Sequence, residues 1–212
     1  MPQTHNMRIL YPKSVSKTEA DAAQQGITKH FSRFHVVCDS AQVGASYWNS
    51  KQARSVYIGE KLANLVNRDA PATSICDLSG DTVMGVLRFR QKQSFGLGIT
   101  NQPLTLIRGF GIRDHTVVGI ACCSGGGIMS LSGLGELPEE ERYRAIENAA
   151  AHVAGRVFGQ RQVCGKSDCI MGQSRTVDLV QRFVRETREF CNECAGMIQT
   201  YLGPVERRIA GL

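Results

Sequence analysis

Two short-spaced cysteine pairs constrain this chain more than any other feature. Cys164-Gly-Lys-Ser-Asp-Cys169 is a C-x4-C pair, and Cys191-Asn-Glu-Cys194 is a C-x2-C pair after 21 intervening residues. Each pair can curl around one side of a metal ion, and the segment between them brings the two halves together. That is what a tetrahedral four-thiolate zinc site needs. Gly165 and Lys166 suit a tight thiolate-binding turn, where backbone N–H groups and a cation offset negative charge. Four thiolates on Zn²⁺ keep a net charge of about −2, so Lys166, Arg161 and Arg175 are sensible neighbours. No coordination position stays open in such a site, so one ion of this kind stabilises the fold and does not catalyse. The competing reading is four unrelated buried thiols.

Compartment and composition bear on that choice. The 212 residues are long enough for one well-buried domain, and 42% hydrophobic with 21% charged residues reads as globular. No apolar run approaches the length that crosses a bilayer, and the N-terminus lacks a signal-peptide core, so a cytoplasmic protein without membrane contact is expected. In that reducing setting eight cysteines favour metal ligation or free thiols over a disulfide framework. Cys38, Cys76, Cys122 and Cys123 stand outside the pattern; three lie in or beside expected strands, where a small buried thiol is expected. The adjacent Cys122-Cys123 pair could also be redox-active or bind metal. A net charge of +6 permits a nucleic-acid partner, although the basic residues are spread along the chain.

Periodicity suggests an α/β fold: a twisted mixed sheet with packed helices. Residues 8–13 form a strand stopped by Pro12, and 34–40 form a second, followed by turn-forming Asp39 and Ser40. Between them 17–31 has helical spacing, with Gly26 as its expected C-terminal stop. A second amphipathic helix is expected over 55–69, with Ile58, Leu62 and Val66 on one face. The stretch 74–100 holds two or three short strands, and 116–127 reads as one apolar strand buried on both faces. A helix then starts around Pro138, with carboxylates beside the positive end of its dipole, and ends near Gly159. It carries Ile146, Ala149, Val153 and Val157 on one face, with His152 inside it. No linker divides the chain. Residues 1–212 read as one domain, with a sheet-and-helix part over 1–159 and a zinc-stabilised C-terminal subdomain over 160–212.

With these residues in view, the sequence resembles the archaemetzincin family of metzincin-clan zinc peptidases. That family has a helix with His-Glu-x-x-His-x-x-Gly-x-x-His, followed by Cys-x4-Cys-x-Met and later by Cys-x2-Cys. Cys164, Cys169, Ile170-Met171 and Phe190-Cys191-x-x-Cys194 match the second half, and Met171 falls at the family's Met-turn methionine. Ser174 follows it, then a helix-like stretch leads to the last cysteine pair, as in the family. The likeness is sharp over 150–200 and diffuse elsewhere, where Phe95-Gly96 before a buried strand is its main sign. It implies a metzincin-like sheet and a former active-site helix ending near 159.

The first half of the motif is missing. Aligned on Gly159, His152 takes the first ligand position, Val153 replaces the catalytic Glu, Arg156 the second His and Gln162 the third. Aligned on Cys164, the three ligand positions become Val153, Val157 and Val163, and the Glu becomes Ala154. Neither register leaves a triad. A catalytic zinc needs three protein ligands and a carboxylate base for its water; here a single His stands one turn from a cation that repels Zn²⁺. Arg156 either reaches solvent or fills the vacated space, where it would pair with a carboxylate or receive an anionic partner.

Two further motifs fall short. Gly165-Lys166-Ser167 ends like a phosphate-binding P-loop, but Gly159 is one residue too distant and the stretch follows a helix. Ser124 and the glycines after it could present N–H groups to an anion or form a strand-exit loop shaping a groove near an edge strand. Three function classes remain: an inactive pseudo-peptidase that keeps structural zinc and holds a peptide or protein partner in its cleft; an active metallopeptidase with unconventional ligands; and a basic nucleic-acid- or ribosome-associated zinc protein. The second must recruit ligands beyond His152 from His5, His30, His35, His115 or distant carboxylates. The third needs Arg161, Lys166, Arg175, Arg182, Arg185 and Arg188 on one surface.

Overall fold

A computed structural model describes residues 4–42, 94–101, 104–106, 115–117, 119–122, 126–159, 164–166, 168–172 and 189–203. The order is β1 (His5–Tyr11), α1 (Lys17–Phe31), a 3-10 turn (Ser32–Phe34), β2 (Val36–Gln42), β3 (Ser94–Thr100), β4 (Leu104–Leu106), β5 (His115–Val117), β6 (Gly119–Cys122), β7 (Gly126–Ser130), α2 (Glu139–Val157) and α3 (Asn192–Leu202). The main sheet runs β2-β1-β3-β7-β6. Its first four strands are parallel, and β6 is antiparallel to β7. β4 and β5 form a separate antiparallel pair. The expected mixed sheet with packed helices is present. Among the described residues no helix is long and apolar enough to cross a membrane.

Alternation explains the sheet's outer half. Met7 and Ile9 on β1 are buried while Asn6 and Arg8 are exposed. Arg8 lies opposite Asp39 in the register and makes a bidentate pair with it. The inner strands differ: β7 is buried at every position, and Leu97 and Ile99 of β3 are fully buried, as expected of a strand covered on both faces.

α1 begins with a capping box in which the Ser16 side chain accepts from Glu19 N–H and the Glu19 carboxylate accepts from Ser16 N–H at 2.8 Å. Glu19 is buried and also pairs with Arg142 in the first turn of α2, so one carboxylate both starts a helix and ties it to the next. α2 begins after Pro138 and ends before Gly159, whose φ of +93° favours glycine.

Several expectations change. Gly26 does not stop α1, which continues to Phe31. A Cβ at Gly26 would stand 2.2 Å from the Glu147 carbonyl oxygen of α2; the glycine serves helix–helix approach. Asp39 and Ser40 belong to β2 and not to a turn after it, because parallel pairing with β1 carries the strand to Gln42. The single strand expected over 116–127 falls in three, β5 and β6, which join different sheets, and the start of β7. Gly126 and Gly127 belong to β7, not to an exit loop. Phe95-Gly96 lies within β3. The helix expected over 55–69 and the strands before residue 94 fall outside the described residues, as do Ser124 and Gly125.

Gly26→Ala tests the close approach. Intrinsic helix propensity alone would stabilise by about 1 kcal/mol, whereas forcing α1 from α2 costs about 1–3 kcal/mol. Denaturant unfolding is expected to show net destabilisation; a gain in stability would refute the packing role.

Candidate metal centre

The C-terminal residues fold back onto α2 and α1. An isolated parallel bridge joins Cys164 to Gly172, and another joins Cys169 to Glu189. Cys164 N–H donates to the Met171 carbonyl at 2.9 Å, and Ile170 N–H to that of Glu189 at 3.1 Å. These contacts lay the two cysteine segments side by side. Met171 is fully buried under α2, where its sulfur comes within 2.6 Å of the place a Cβ on Gly155 would occupy. Phe190 lies against the same glycine and packs edge-on to Phe31 of α1, with centroids 5.0 Å apart. α3 then carries Cys194 inward and lays Tyr201 over Gly159.

The outcome is a cluster of four sulfurs. Those of Cys164, Cys169, Cys191 and Cys194 all lie within 4.8 Å of one another. Cys164 and Cys191 Sγ are 3.7 Å apart and all four cysteines are free. Zn–S bonds of about 2.3 Å in tetrahedral geometry put sulfurs about 3.8 Å apart, so this donor set suits a metal ion. Lys166 N–H donates to Cys164 Sγ at 3.5 Å, and Cys191 N–H to Cys169 Sγ at 3.4 Å, as thiolates require. Cys164, Cys169 and Cys194 are buried and Cys191 is half-buried.

The four thiols are not equivalent. Burial holds Cys169 above the ordinary thiol range against N–H donation from Cys191 and Met171. Burial, followed by the neighbouring Cys191 thiol and the charge on Cys169, pushes Cys194 up further. Burial also opposes ionisation at Cys191. There the Cys194 N–H and the thiols of Cys194, Cys164 and Cys169 outweigh it and bring Cys191 down to about 7. Cys191 is thus a thiolate before Cys169 or Cys194 is. Cys38, outside the cluster, is pushed up to about 12 by burial and then by Asp39, as an inert core thiol is.

His152 sits half-buried on α2, with Nδ1 2.8 Å from the Ile170 carbonyl. The carbonyl can only accept, so Nδ1 carries the proton. No second His and no carboxylate joins it in a metal-binding group among the described residues. Arg156 is half-buried one turn further along. Gln162, Val163, Arg161, Arg175, Ser174, Arg182, Arg185 and Arg188 lie outside the described residues, as do Cys76 and Cys123.

One contact had no sequence signal beyond a histidine in a helix. His30 of α1 is buried with Nδ1 3.4 Å from Glu189, two residues before Cys191, and its ring is edge-on to Phe190. Its Nε2 has no hydrogen-bond partner among the described residues. Burial lowers its pKa below 6.5; Glu189 opposes this, while Lys29 and Arg33 add to it.

No model of a known protein family matches the chain, and no curated protein matches it. Solved structures do. The chain superposes on archaemetzincin from Methanopyrus kandleri with a TM-score of 0.60 at 18% identity, covering 95% of this chain and 96% of that one. Archaemetzincin from Archaeoglobus fulgidus, crystallised with malonate, matches with a TM-score of 0.56 at 19% identity, covering 91% and 99%. The protein has an archaemetzincin-like fold.

Two measurements check the electrostatics. In metal-stripped protein, iodoacetamide should modify Cys191 before Cys169 and Cys194, with a rate midpoint near pH 7; equal rates for these three, read by peptide mass mapping, contradict this. His30 has its folded pKa below the unfolded value, so its contribution to stability is present above pH 6.5 and is lost as pH falls through the folded value. Wild-type stability should therefore fall more steeply below pH 6.5 than that of His30→Gln.

Proposed function

We propose that the protein is an archaemetzincin-like zinc-binding protein without peptidase activity, which keeps one structural Zn²⁺ and uses the remaining scaffold as a binding or regulatory module. The observation that carries this reading is the four-sulfur cluster, whose spacing fits tetrahedral thiolate coordination. Cys164, Cys169, Cys191 and Cys194 would hold the ion, and Met171 would serve as the Met-turn methionine beneath α2. Support for inactivity comes from the helix: Val153 offers no base, and Arg156 places a positive charge where a second ligand would be needed. The chain acts as one domain over 1–212 in the cytoplasm, where reduced thiols persist.

A second reading, an active metallopeptidase, draws on His152. A histidine whose Nδ1–H is held by a carbonyl presents Nε2 in the way metal-ligating histidines do. It would need further ligands from elsewhere in the chain.

Metal stoichiometry separates the two. Purified protein should contain about one zinc per chain, and Cys191→Ser should weaken or remove it together with folding stability, because metal binding and folding are one equilibrium in such sites. A panel of peptides should remain uncleaved by the zinc-loaded protein. Two zincs per chain, the second removed by His152→Ala, would overturn the inactive reading.

A further inference from the structure

The four thiols of the cysteine cluster are enclosed unevenly. Cys169 and Cys194 are each 1% exposed and Cys164 is 8% exposed, all three packed in the same core as Ile170, Met171 and Phe190. Cys191 is half-buried. The residues that follow Cys164 and Cys191, namely Gly165, Lys166, Asn192 and Glu193, are exposed. A Cβ at Gly165 would meet no atom within 4 Å, whereas one at Gly155 on the core side would strike the Met171 sulfur. A small solute therefore reaches the cluster at Cys191 first and at Cys164 next.

Geometry pairs the same two residues. Their sulfurs lie 3.7 Å apart and both thiols are free. Closing that distance to the roughly 2.0 Å of a disulfide needs side-chain rotation about Cα–Cβ. The two residues stand 27 positions apart and belong to different ligand pairs. Joining them leaves each pair with one thiol, Cys169 or Cys194, and two thiolates do not complete the tetrahedral set that holds structural Zn²⁺. The bond would span the same two segments that four-thiolate coordination ties together. In a reducing compartment a disulfide is usually transient and catalytic or redox-sensing. An accessible thiolate beside a resolving cysteine is the arrangement that responds to peroxides.

We propose that Cys191 is a site of oxidation by hydroperoxides with Cys164 as its resolving partner, so that the cluster exchanges its metal ion for a Cys164–Cys191 disulfide. First the Cys191 thiolate attacks one peroxide oxygen: the S–O bond forms, the O–O bond breaks, and the departing hydroxide takes a proton from solvent. The Cys164 thiolate then attacks the sulfenyl sulfur: the S–S bond forms, the S–O bond breaks, and a second hydroxide is protonated. Two thiolates thus give up two electrons, and hydrogen peroxide accepts them to become two waters. Loss of the ion rests on the reading that the four thiols hold one Zn²⁺; formation of the disulfide does not.

The test treats the zinc-loaded, full-length protein with hydrogen peroxide under native conditions. Disulfides are read by peptide mass mapping after alkylation, and released zinc by a chromogenic chelator. The Cys164–Cys191 crosslink should be the first disulfide to form, with about one zinc released per crosslink, and dithiothreitol with added zinc should reverse both. Cys38, buried on β2, should stay a free thiol throughout. Dimedone present during oxidation should label Cys191 and suppress the crosslink. A first disulfide between Cys191 and Cys194, between Cys169 and Cys194, or among Cys76, Cys122 and Cys123 overturns the proposal. Dimedone label on Cys164 in place of Cys191, or sulfinic acid at Cys191 without any crosslink, overturns it too. The crosslink in protein that carries no zinc upholds the oxidation site and overturns the zinc-binding reading. One zinc per chain, with all four thiols unchanged at a dose that oxidises free cysteine, overturns the oxidation site alone.

Discussion

The chain of aromatic rings from β3 to Phe190 is the constraint on which the rest depends. Phe95 of β3 packs edge-on to Phe158 at 4.7 Å, Phe158 meets Phe31 of α1 at 5.0 Å, and Phe31 meets Phe190 at 5.0 Å. Each such pair contributes about 0.5–1.5 kcal/mol beyond its buried area. Phe158 directly follows α2, and Phe190 directly precedes Cys191. The rings therefore fix the helix end and one half of the thiol cluster against the same sheet. They add to the few backbone hydrogen bonds that bridge the two cysteine segments, which are weak individually in an irregular stretch.

That arrangement makes the four-thiol cluster and the core a single unit. Cys164, Cys169, Met171 and Phe190 belong to the same buried cluster as Met7, Ile9 and Leu97 of the sheet. Met171 and Gly155 are complementary: the glycine leaves the space that the methionine sulfur fills. His30 adds a polar link between α1 and Glu189, at the cost of burying an imidazole that resists protonation. Protonating His30 therefore meets a burial penalty that Glu189 offsets only in part.

Local chemistry was the legible part of this sequence. The cysteine spacing pointed to a four-thiol cluster because ligand pairs must be close in sequence to turn around one ion, and the helix starting near Pro138 announced itself through charge and periodicity. Gly26 misled because a helical glycine signals either an end or a close approach, and only the position of Glu147 decides which. Strand identity over 116–127 was illegible for a related reason. An apolar run records burial, not pairing: β5 turns back onto β4 and β6 onto β7, and nothing in the run marks where one strand ends and the next begins. The link between His30 and Glu189 spans 159 positions, a separation that no local pattern encodes.

The same distinction bears on α2. A helix can lose ligand residues at little cost to its stability, because His, Glu, Val and Arg differ in helix propensity by less than about 0.7 kcal/mol. Its burial cannot change so freely: Val153, Ala154, Gly155 and Val157 are each held by neighbours on the sheet, α1 or the cysteine segment. In the last two turns of α2, His152 and Arg156 are half-buried, whereas the residues between and beside them are buried. Chemistry can be exchanged there while the scaffold persists. Arg156 places a positive charge on that face, while the thiol cluster packs into the buried core.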